Sequence, residues 1–371
     1  MILTGNNSSN KRLLVLDIMR GLIMILLAGE SCRLYESIHE LDLPGAGQLF
    51  VNQFFHDPWH GLRFWDLVQP AFMTMAGAAL YISYFSKFQK GISWSQNFKH
   101  VALRCLKLFI AGTALHCVYS GKLVWELWNV LTQLSVTTLI AYLIIRRSTI
   151  FQVVACIALL LLTEFLYRFV LMPGFDQPFV MGKNFGSWMD VILMGKINSD
   201  GWVAINILPT AVHTIAGVLT GKLLISEIAP AKKIYTLLIA AGLCLLAGFA
   251  LDLGGITPII KRISTSSFVL ASAGWVLLII AILYFITDVR GWRKHAWIFV
   301  VVGMNAIFIY LFFETLGHQW LNGVVAVFVK GFGGLVGLSE KLLNILSAVV
   351  TLFCEWFLCY WLYKRKIYFK L

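Results

Sequence analysis

The sequence predicts an all-α integral membrane protein, a polytopic bundle of about ten transmembrane helices with both termini in the cytoplasm. Its 371 residues are 59% hydrophobic and only 13% charged, whereas about a quarter of the residues of a soluble domain are charged. Apolar runs of about 20 residues, the length that crosses the hydrocarbon core of a bilayer, recur along the chain. They leave no room for a separate soluble domain, so residues 1–371 are predicted to form one transmembrane domain.

The ten predicted spans are the apolar runs that lie between polar breaks. They fall at about 13–34, 63–86, 100–118, 124–145, 149–171, 201–225, 233–251, 266–287, 295–316 and 343–363. A further stretch, 320–337, is apolar but short and rich in glycine. It is interpreted as an interfacial or re-entrant segment and not as a span.

The distribution of Lys and Arg predicts the orientation of these spans. With the N-terminus inside, the segments assigned to the cytoplasm carry most of the 30 Lys and Arg residues, which is the positive-inside bias of short loops. The loops 35–62, 172–200 and 317–342 then lie outside, where a substrate site is expected. The same bias accounts for the formal net charge of +12, so nucleic acid is not an expected partner.

Charged residues within the predicted spans need an explanation, because each costs about 2.5–3.5 kcal/mol at the centre of a helix on insertion scales. Asp17 and Arg20 are spaced i, i+3 and can pair on one helix face. They form either a structural ion pair or a site where Arg20 meets an anionic cosubstrate. Glu30 and Glu314 are expected near the outer interface, and Glu30 could face a central cavity.

The stretch from residue 55 to 70, at the outer entrance to the second span, concentrates groups that can carry chemistry. His56 is the side chain best suited to proton transfer near neutral pH, and Asp66 could orient its ring. His60 is more typical of an interfacial polar group. Pro58 between the two histidines argues against a helical zinc site. Because the chain contains no CxxC pair, neither a metal site nor a disulfide framework is predicted.

The same stretch resembles the outer segment of the heparan-alpha-glucosaminide N-acetyltransferase family, whose pattern is roughly H-x-x-W-[NH]-G-L-x-x-x-D-L-V-x-P. Residues 16–21 are similar to the L-D-x-x-R-G opening of that family, and residues 264–269 to its K-x-[LI]-W-[ST]-x-S-[FY]-V segment. Further similar segments lie in order at 130–133, 200–222, 303–307 and 362–370. The resemblance therefore covers nearly the whole chain.

The resemblance implies a transmembrane N-acetyltransferase. Acetyl-CoA would be a cosubstrate from the cytoplasm, with no tightly bound cofactor. The acetyl group would pass to the amine of a terminal glucosamine of a heparan-type glycan outside. The resemblance also suggests a homodimer. Eukaryotic members carry an additional N-terminal luminal domain that is not in this sequence, which favours a bacterial inner-membrane protein.

The resemblance also assigns site residues. The catalytic histidine falls on His56, supported by Asp66, and the assisting asparagine of the family falls at about Ser31, beside Glu30. The predicted donor-binding residues are Arg20, Arg104 and Lys107, because the CoA phosphates need cations at the cytoplasmic face, together with Gln133 and Asn305. Two positions depart from the family pattern, because Ser31 replaces asparagine and Gln133 stands where the family has arginine.

Two other functions remain open at the level of sequence. One is an O-acyltransferase of the same architecture, acting on a hydroxyl of a cell-envelope glycan. The other is a small-molecule transporter, which is less favoured because transporters often show internal repeats and this sequence shows no convincing one.

Overall fold

A computed structural model describes residues 13–369 and shows a helical bundle. Within those residues the only β-structure is a single antiparallel bridge between Met172 and Phe175. The predicted all-α class is therefore confirmed. The chain ends at residues 1–12 and 370–371, whose cytoplasmic location is predicted above, lie outside the described residues.

Fifteen α-helices are formed within the described part of the chain. They are α1 (Leu14–Ser31), α2 (Leu34–His39), α3 (Ala46–Asn52), α4 (Val68–Gln89), α5 (Trp94–Ser120), α6 (Val130–Ile144), α7 (Thr149–Phe169), α8 (Phe185–Met194), α9 (Ile207–Ile225), α10 (Pro230–Leu253), α11 (Ser266–Tyr284), α12 (Trp297–Gly303), α13 (Ala306–Phe312), α14 (Asn322–Leu335) and α15 (Glu340–Lys364). Short 3-10 turns at Phe64–Leu67 and Ala204–Asn206 precede α4 and α9, and π-helical segments follow α11 (Phe285–Val289) and α13 (Phe313–Leu321).

Six helices of the described chain are long and apolar enough to cross a membrane, and one bent helix pair would make a seventh. The six comprise α5, α7, α9 with its preceding turn, α10, α11 with its π-helical segment, and α15. These findings support a multi-pass membrane protein.

The count of about ten spans stays a prediction, because some of the predicted runs form helices that contain charged residues or are shorter than a typical membrane span. Helix α1 contains three charged residues, Asp17, Arg20 and Glu30. Helix α6 has only 15 residues, or about 22 Å at 1.5 Å per residue, whereas the hydrocarbon core is about 30 Å thick.

The region after residue 295 differs from the two separate segments predicted from the sequence. The run 295–316 is broken after α12, and α12 is bent by 74° from the long helical rod Ala306–Leu335 that follows. Most of 320–337 is α14, which continues that rod. At the break, Asn305 binds the C-terminal segment: its Nδ2 donates to the carbonyl of Ile367 (3.1 Å), and its Oδ1 accepts from the backbone N–H of Phe369 (3.0 Å). These tertiary contacts hold the backbone in a non-helical conformation at a position that hydropathy marks as continuous helix.

Glycines allow the central helices to approach closely. A Cβ atom on Gly77 of α4 would collide with the backbone of Thr214 on α9, and one on Gly217 of α9 would collide with the backbone of Thr74 on α4. Small residues at such crossings let helix backbones pack directly in a membrane protein. The contact with α9 holds α4 in place. Helix α4 begins directly after the 3-10 turn that carries Asp66.

Helix α1 is fastened at its N-terminal end by Asp288. The two carboxylate oxygens of Asp288 accept from the backbone N–H groups of Leu14 (3.3 Å) and Val15 (3.0 Å), which satisfies donors that a helix start leaves unpaired. The predicted i, i+3 ion pair of Asp17 and Arg20 forms, with 3.6 Å between Arg20 Nη1 and Asp17 Oδ1. The opposite end of α1 carries Glu30 into the candidate site.

Candidate active site

A cavity of about 170 Å³ lies where the C-terminal end of α1 meets four loops and the start of α4. Helices α6 and α13 and the π-helical segment after α13 complete its wall. The chemically active side chains that line it are Glu30, His56, Gln133, Trp202, Lys261 and Glu314.

His56 is held in the loop before α4 by Asp66. The Nδ1 atom of His56 lies 2.9 Å from Oδ1 of Asp66. Asp66 is fully buried, and its Oδ2 accepts from the backbone N–H groups of Arg63 (2.9 Å) and Asp57 (3.3 Å). These donors favour the ionised carboxylate. The 3-10 turn Phe64–Leu67 thus presents a fixed acceptor to the imidazole ring.

Lys261 completes the group from a distant part of the sequence. It belongs to the loop between α10 and α11, and its Nζ lies 2.9 Å from Nδ1 of His56 and 3.5 Å from Oδ1 of Asp66. The ammonium group also lies over the ring of Trp202, 5.5 Å from its centroid, and Trp202 contacts His56 edge-on at 5.8 Å between ring centroids. Lys261 is buried, so Asp66 is the counter-charge that offsets its desolvation.

Sequence reasoning missed both Lys261 and Trp202. A signal for Lys261 was present, because the family pattern K-x-[LI]-W-[ST]-x-S-[FY]-V begins with lysine and Lys261 stands at that position. Trp202 carried no comparable signal, since one tryptophan near a membrane interface is common.

The environment sets the protonation states of His56 and Lys261. Burial, reinforced by the nearby Lys261 cation, lowers the pKa of His56 to about 4, although Asp66 opposes this shift. Burial lowers the pKa of Lys261 to about 8, against the opposing effect of Asp66 and Glu30. At neutral pH the imidazole is therefore uncharged and the lysine is mostly protonated. Nδ1 lies 2.9 Å from both the Asp66 carboxylate and the Lys261 ammonium, so it either donates to Asp66 or accepts from Lys261. In the tautomer whose Nδ1–H donates to Asp66, Nε2 is unprotonated and can accept a proton.

We expect an NMR titration of His56 to show its midpoint near pH 4, below the ordinary value of about 6.5 for histidine. Replacing Lys261 by Met should move that midpoint upward, because it removes the cation that disfavours the imidazolium. The measurement is ¹³C NMR of labelled histidine, with His56 assigned by comparison with H56A. A midpoint near 6.5 in the wild-type protein would contradict the buried Lys261–His56 contact.

The other predicted site residues fall into two groups. Glu30 and Gln133 line the cavity with His56, and Gln133 Oε1 accepts a hydrogen bond from Gln69. Ser31 lies outside the cavity lining, since its hydroxyl donates to the carbonyl of Phe313 (2.8 Å). Asn305 also lies outside it, in the contacts with the C-terminal segment described above.

The predicted donor-binding cations also lie away from this cavity. Arg20 is ten residues before Glu30 on α1, or about 15 Å along the helix axis at 1.5 Å per residue. Arg104 and Lys107 lie in the first half of α5, and Lys107 is exposed. The structure therefore brings together His56, Asp66, Glu30 and Gln133.

Comparison with known proteins gives two findings. The family described as "Heparan-alpha-glucosaminide N-acetyltransferase, catalytic" matches residues 12–251, a range that contains His56 and Asp66 and ends before Lys261. The curated mouse protein "Heparan-alpha-glucosaminide N-acetyltransferase" is 23% identical over 429 aligned residues, which cover 98% of this chain and 61% of the mouse protein. The chain thus spans about three fifths of the length of that relative.

Proposed function

Because the chain belongs to the heparan-alpha-glucosaminide N-acetyltransferase family, we propose that it transfers the acetyl group of cytoplasmic acetyl-CoA to the amine of a terminal glucosamine on the far side of the membrane. The proposed location is a bacterial inner membrane, with the glycan in the periplasm. The observation that carries the proposal is the group formed by His56, Asp66 and Lys261 in a cavity of the helical bundle.

In the proposed reaction the neutral amine attacks the carbonyl carbon of the thioester. The new C–N bond makes the nitrogen strongly acidic, so the weakly basic Nε2 of His56 suffices to remove its proton. The C–S bond then breaks, and the proton passes from His56 to the departing thiolate. The products are the N-acetyl sugar and free CoA, and His56 returns to its neutral state.

Asp66 and Lys261 have distinct supporting roles in this scheme. Asp66 holds Nδ1–H and so orients the ring and stabilises the transient imidazolium. The Lys261 ammonium keeps the resting imidazole neutral, and it offsets negative charge on the thioester oxygen when that oxygen becomes an oxyanion. We propose that Gln133, in the cavity wall, contacts the donor near its reactive end.

The proposed route of the donor crosses the bundle towards this cavity. Arg20, Arg104 and Lys107 are the proposed contacts of the CoA phosphates, since each is a cation on a helix that leads towards the cavity. Asn305 is proposed to act on the same route through the break between α12 and α13. Arg20, which pairs with Asp17, would then bind a phosphate of CoA in place of the Asp17 carboxylate.

The proposal is tested with purified protein in lipid nanodiscs, supplied with acetyl-CoA and either glucosamine or glucose. We expect N-acetylglucosamine and free CoA thiol to appear in equal amounts, with no acetylated glucose. Acetylation of glucose alone would instead establish the O-acyltransferase alternative. Proteoliposomes with acetyl-CoA on one side and glucosamine on the other test transfer across the bilayer, and product confined to same-side mixtures would overturn it.

A further inference from the structure

Two carboxylates line the candidate active-site cavity together with His56, and the reaction scheme above does not use them. Glu30 lies in the last turn of α1, and Glu314 lies in the π-helical segment Phe313–Leu321. Both line the cavity that also contains His56 and Lys261. Carboxylates are costly at membrane depth unless a partner or a function offsets the cost.

When Glu30 and Glu314 are ionised, neither has a paired cation among the described residues. Lys261 is already offset by Asp66, and His56 is neutral at pH 7. Two carboxylates in so small a space repel each other, and a positively charged guest would relieve that repulsion.

The groups near Glu314 are committed to other contacts. The hydroxyl of Tyr119 donates to Oε2 of Glu314 (2.5 Å), which orients the carboxylate. His116 is paired with Glu126, 2.6 Å from its Nδ1, and Nδ1 of His318 lies 3.2 Å from the carbonyl oxygen of Ser31. The nearby histidines therefore have partners of their own.

We propose that Glu30 and Glu314 form an ammonium subsite that binds the acceptor as a protonated primary amine and so selects amino sugars over hydroxyl sugars. The inference rests on the proposed function and names the charge state in which the acceptor enters. Primary amines of this kind are largely protonated near pH 7. An ammonium group offers three hydrogen-bond donors and a full positive charge, whereas a hydroxyl offers one donor and carries no charge. Trp65 and Tyr310 also line the cavity and add aromatic surface that favours a cation.

The subsite also supplies a step that the reaction needs. An ammonium has no lone pair, so it must lose a proton before it attacks the thioester. The carboxylate pair takes that proton: R–NH₃⁺ and a carboxylate become R–NH₂ and a carboxylic acid, with no change in total charge. The free amine then attacks the thioester carbon, and His56 removes the second proton from its nitrogen. The N-acetyl product is neutral, so the carboxyl pair no longer holds it and its release is favoured. The carboxylic acid then loses its proton to water, which restores the pair for the next acceptor.

The first test measures sugar binding in the absence of acetyl-CoA, by ligand-observed NMR on the protein in nanodiscs. We expect wild-type protein to bind glucosamine at least 10-fold more tightly than glucose, and to bind N-acetylglucosamine no better than glucose. The single variants E30Q and E314Q should each lose several-fold of this preference, and the double variant should lose all of it. The matched control is E36Q, which removes a carboxylate of α2 that pairs with Arg33 (2.5 Å) outside the cavity.

The second test separates binding of the acceptor from binding of the donor. In E30Q/E314Q we expect the KM for glucosamine to rise at least 10-fold while acetyl-CoA binding stays unchanged, which also shows that the variant is folded. Equal binding of glucosamine and glucose by wild-type protein would overturn the subsite, as would an unchanged glucosamine preference in the double variant.

Failure of the proposed function gives a different result. A glucosamine preference that depends on Glu30 and Glu314, without any acetylated product, supports the subsite and rejects the acetyltransferase. Product formation with an unchanged KM for glucosamine in the double variant rejects the subsite and leaves the acetyltransferase in place.

Discussion

Replacing His56 by alanine is expected to lower the rate of acetyl transfer about 10²- to 10⁴-fold, the usual contribution of a positioned general base. The variant loses Nε2, which removes the proton from the attacking nitrogen, while Asp66 and Lys261 remain paired. The donor contacts are unchanged, so acetyl-CoA should bind as before. The measurement is the release of free CoA thiol in the presence of glucosamine, together with the acetyl-CoA dissociation constant.

The matched control for this variant is H60A. His60 lies four residues further along the same loop, is more than half exposed, and contacts Asp252 at 2.7 Å. It therefore shares the residue type and the loop of His56 and lies outside the cavity lining. We expect H60A to retain most of the wild-type rate. A rate in H56A above a tenth of the wild-type value would remove His56 from the mechanism.

Replacing Asp66 by asparagine is expected to have two large effects, one on catalysis and one on stability. The neutral amide no longer stabilises the imidazolium and can favour the wrong ring tautomer, so we expect kcat to fall by up to about 10⁴-fold, the drop that the same change causes in a Ser-His-Asp triad. The change also leaves the buried Lys261 cation without its counter-charge. Breaking a buried pair on one side costs about 3–5 kcal/mol, which should appear as a lower free energy of unfolding in detergent.

The double variant D66N/K261M distinguishes these two effects. It removes the unpaired cation, so much of the lost stability should return, whereas kcat should stay low because the ring still lacks its carboxylate. The coupling between the two positions in a double-mutant cycle measures the pair. D57N is the nearby control, because Asp57 pairs with Arg63 at 3.5 Å on the same loop. Recovery of kcat in the double variant would show that Asp66 acts only through stability.

The helical architecture and the location of the candidate site were accessible from sequence because their signals are local. A long apolar run indicates a segment surrounded by lipid or protein, where the backbone must satisfy its own hydrogen bonds by forming a helix. Each predicted apolar run accordingly contains a helix. The Asp17–Arg20 pair was predictable because i, i+3 neighbours share a helix face. The stretch from 55 to 70 was recognisable because His56 and Asp66 lie ten residues apart.

Some expectations depended on contacts that local patterns do not encode. At Ser31, where the resemblance places an assisting asparagine, the hydroxyl donates to the carbonyl of Phe313, and a role of Ser31 in catalysis stays a prediction. The stretch 320–337 was interpreted as an interfacial or re-entrant segment and not as a span. Most of it continues the helical rod Ala306–Leu335 that follows the 74° bend, and its relation to the membrane stays a prediction. In both cases the outcome depends on how α1 and the rod Ala306–Leu335 pack together.

By itself the sequence determined the helical class, the membrane character and the histidine on which the proposed chemistry depends. Only the tertiary structure decided that Lys261, 205 residues from His56, joins the imidazole and Asp66, and that Glu30 and Glu314 face the same cavity. The physical reason is that hydropathy and spacing describe neighbours along the chain. The charge balance of a buried site is instead set by side chains that helix packing brings together across the bundle.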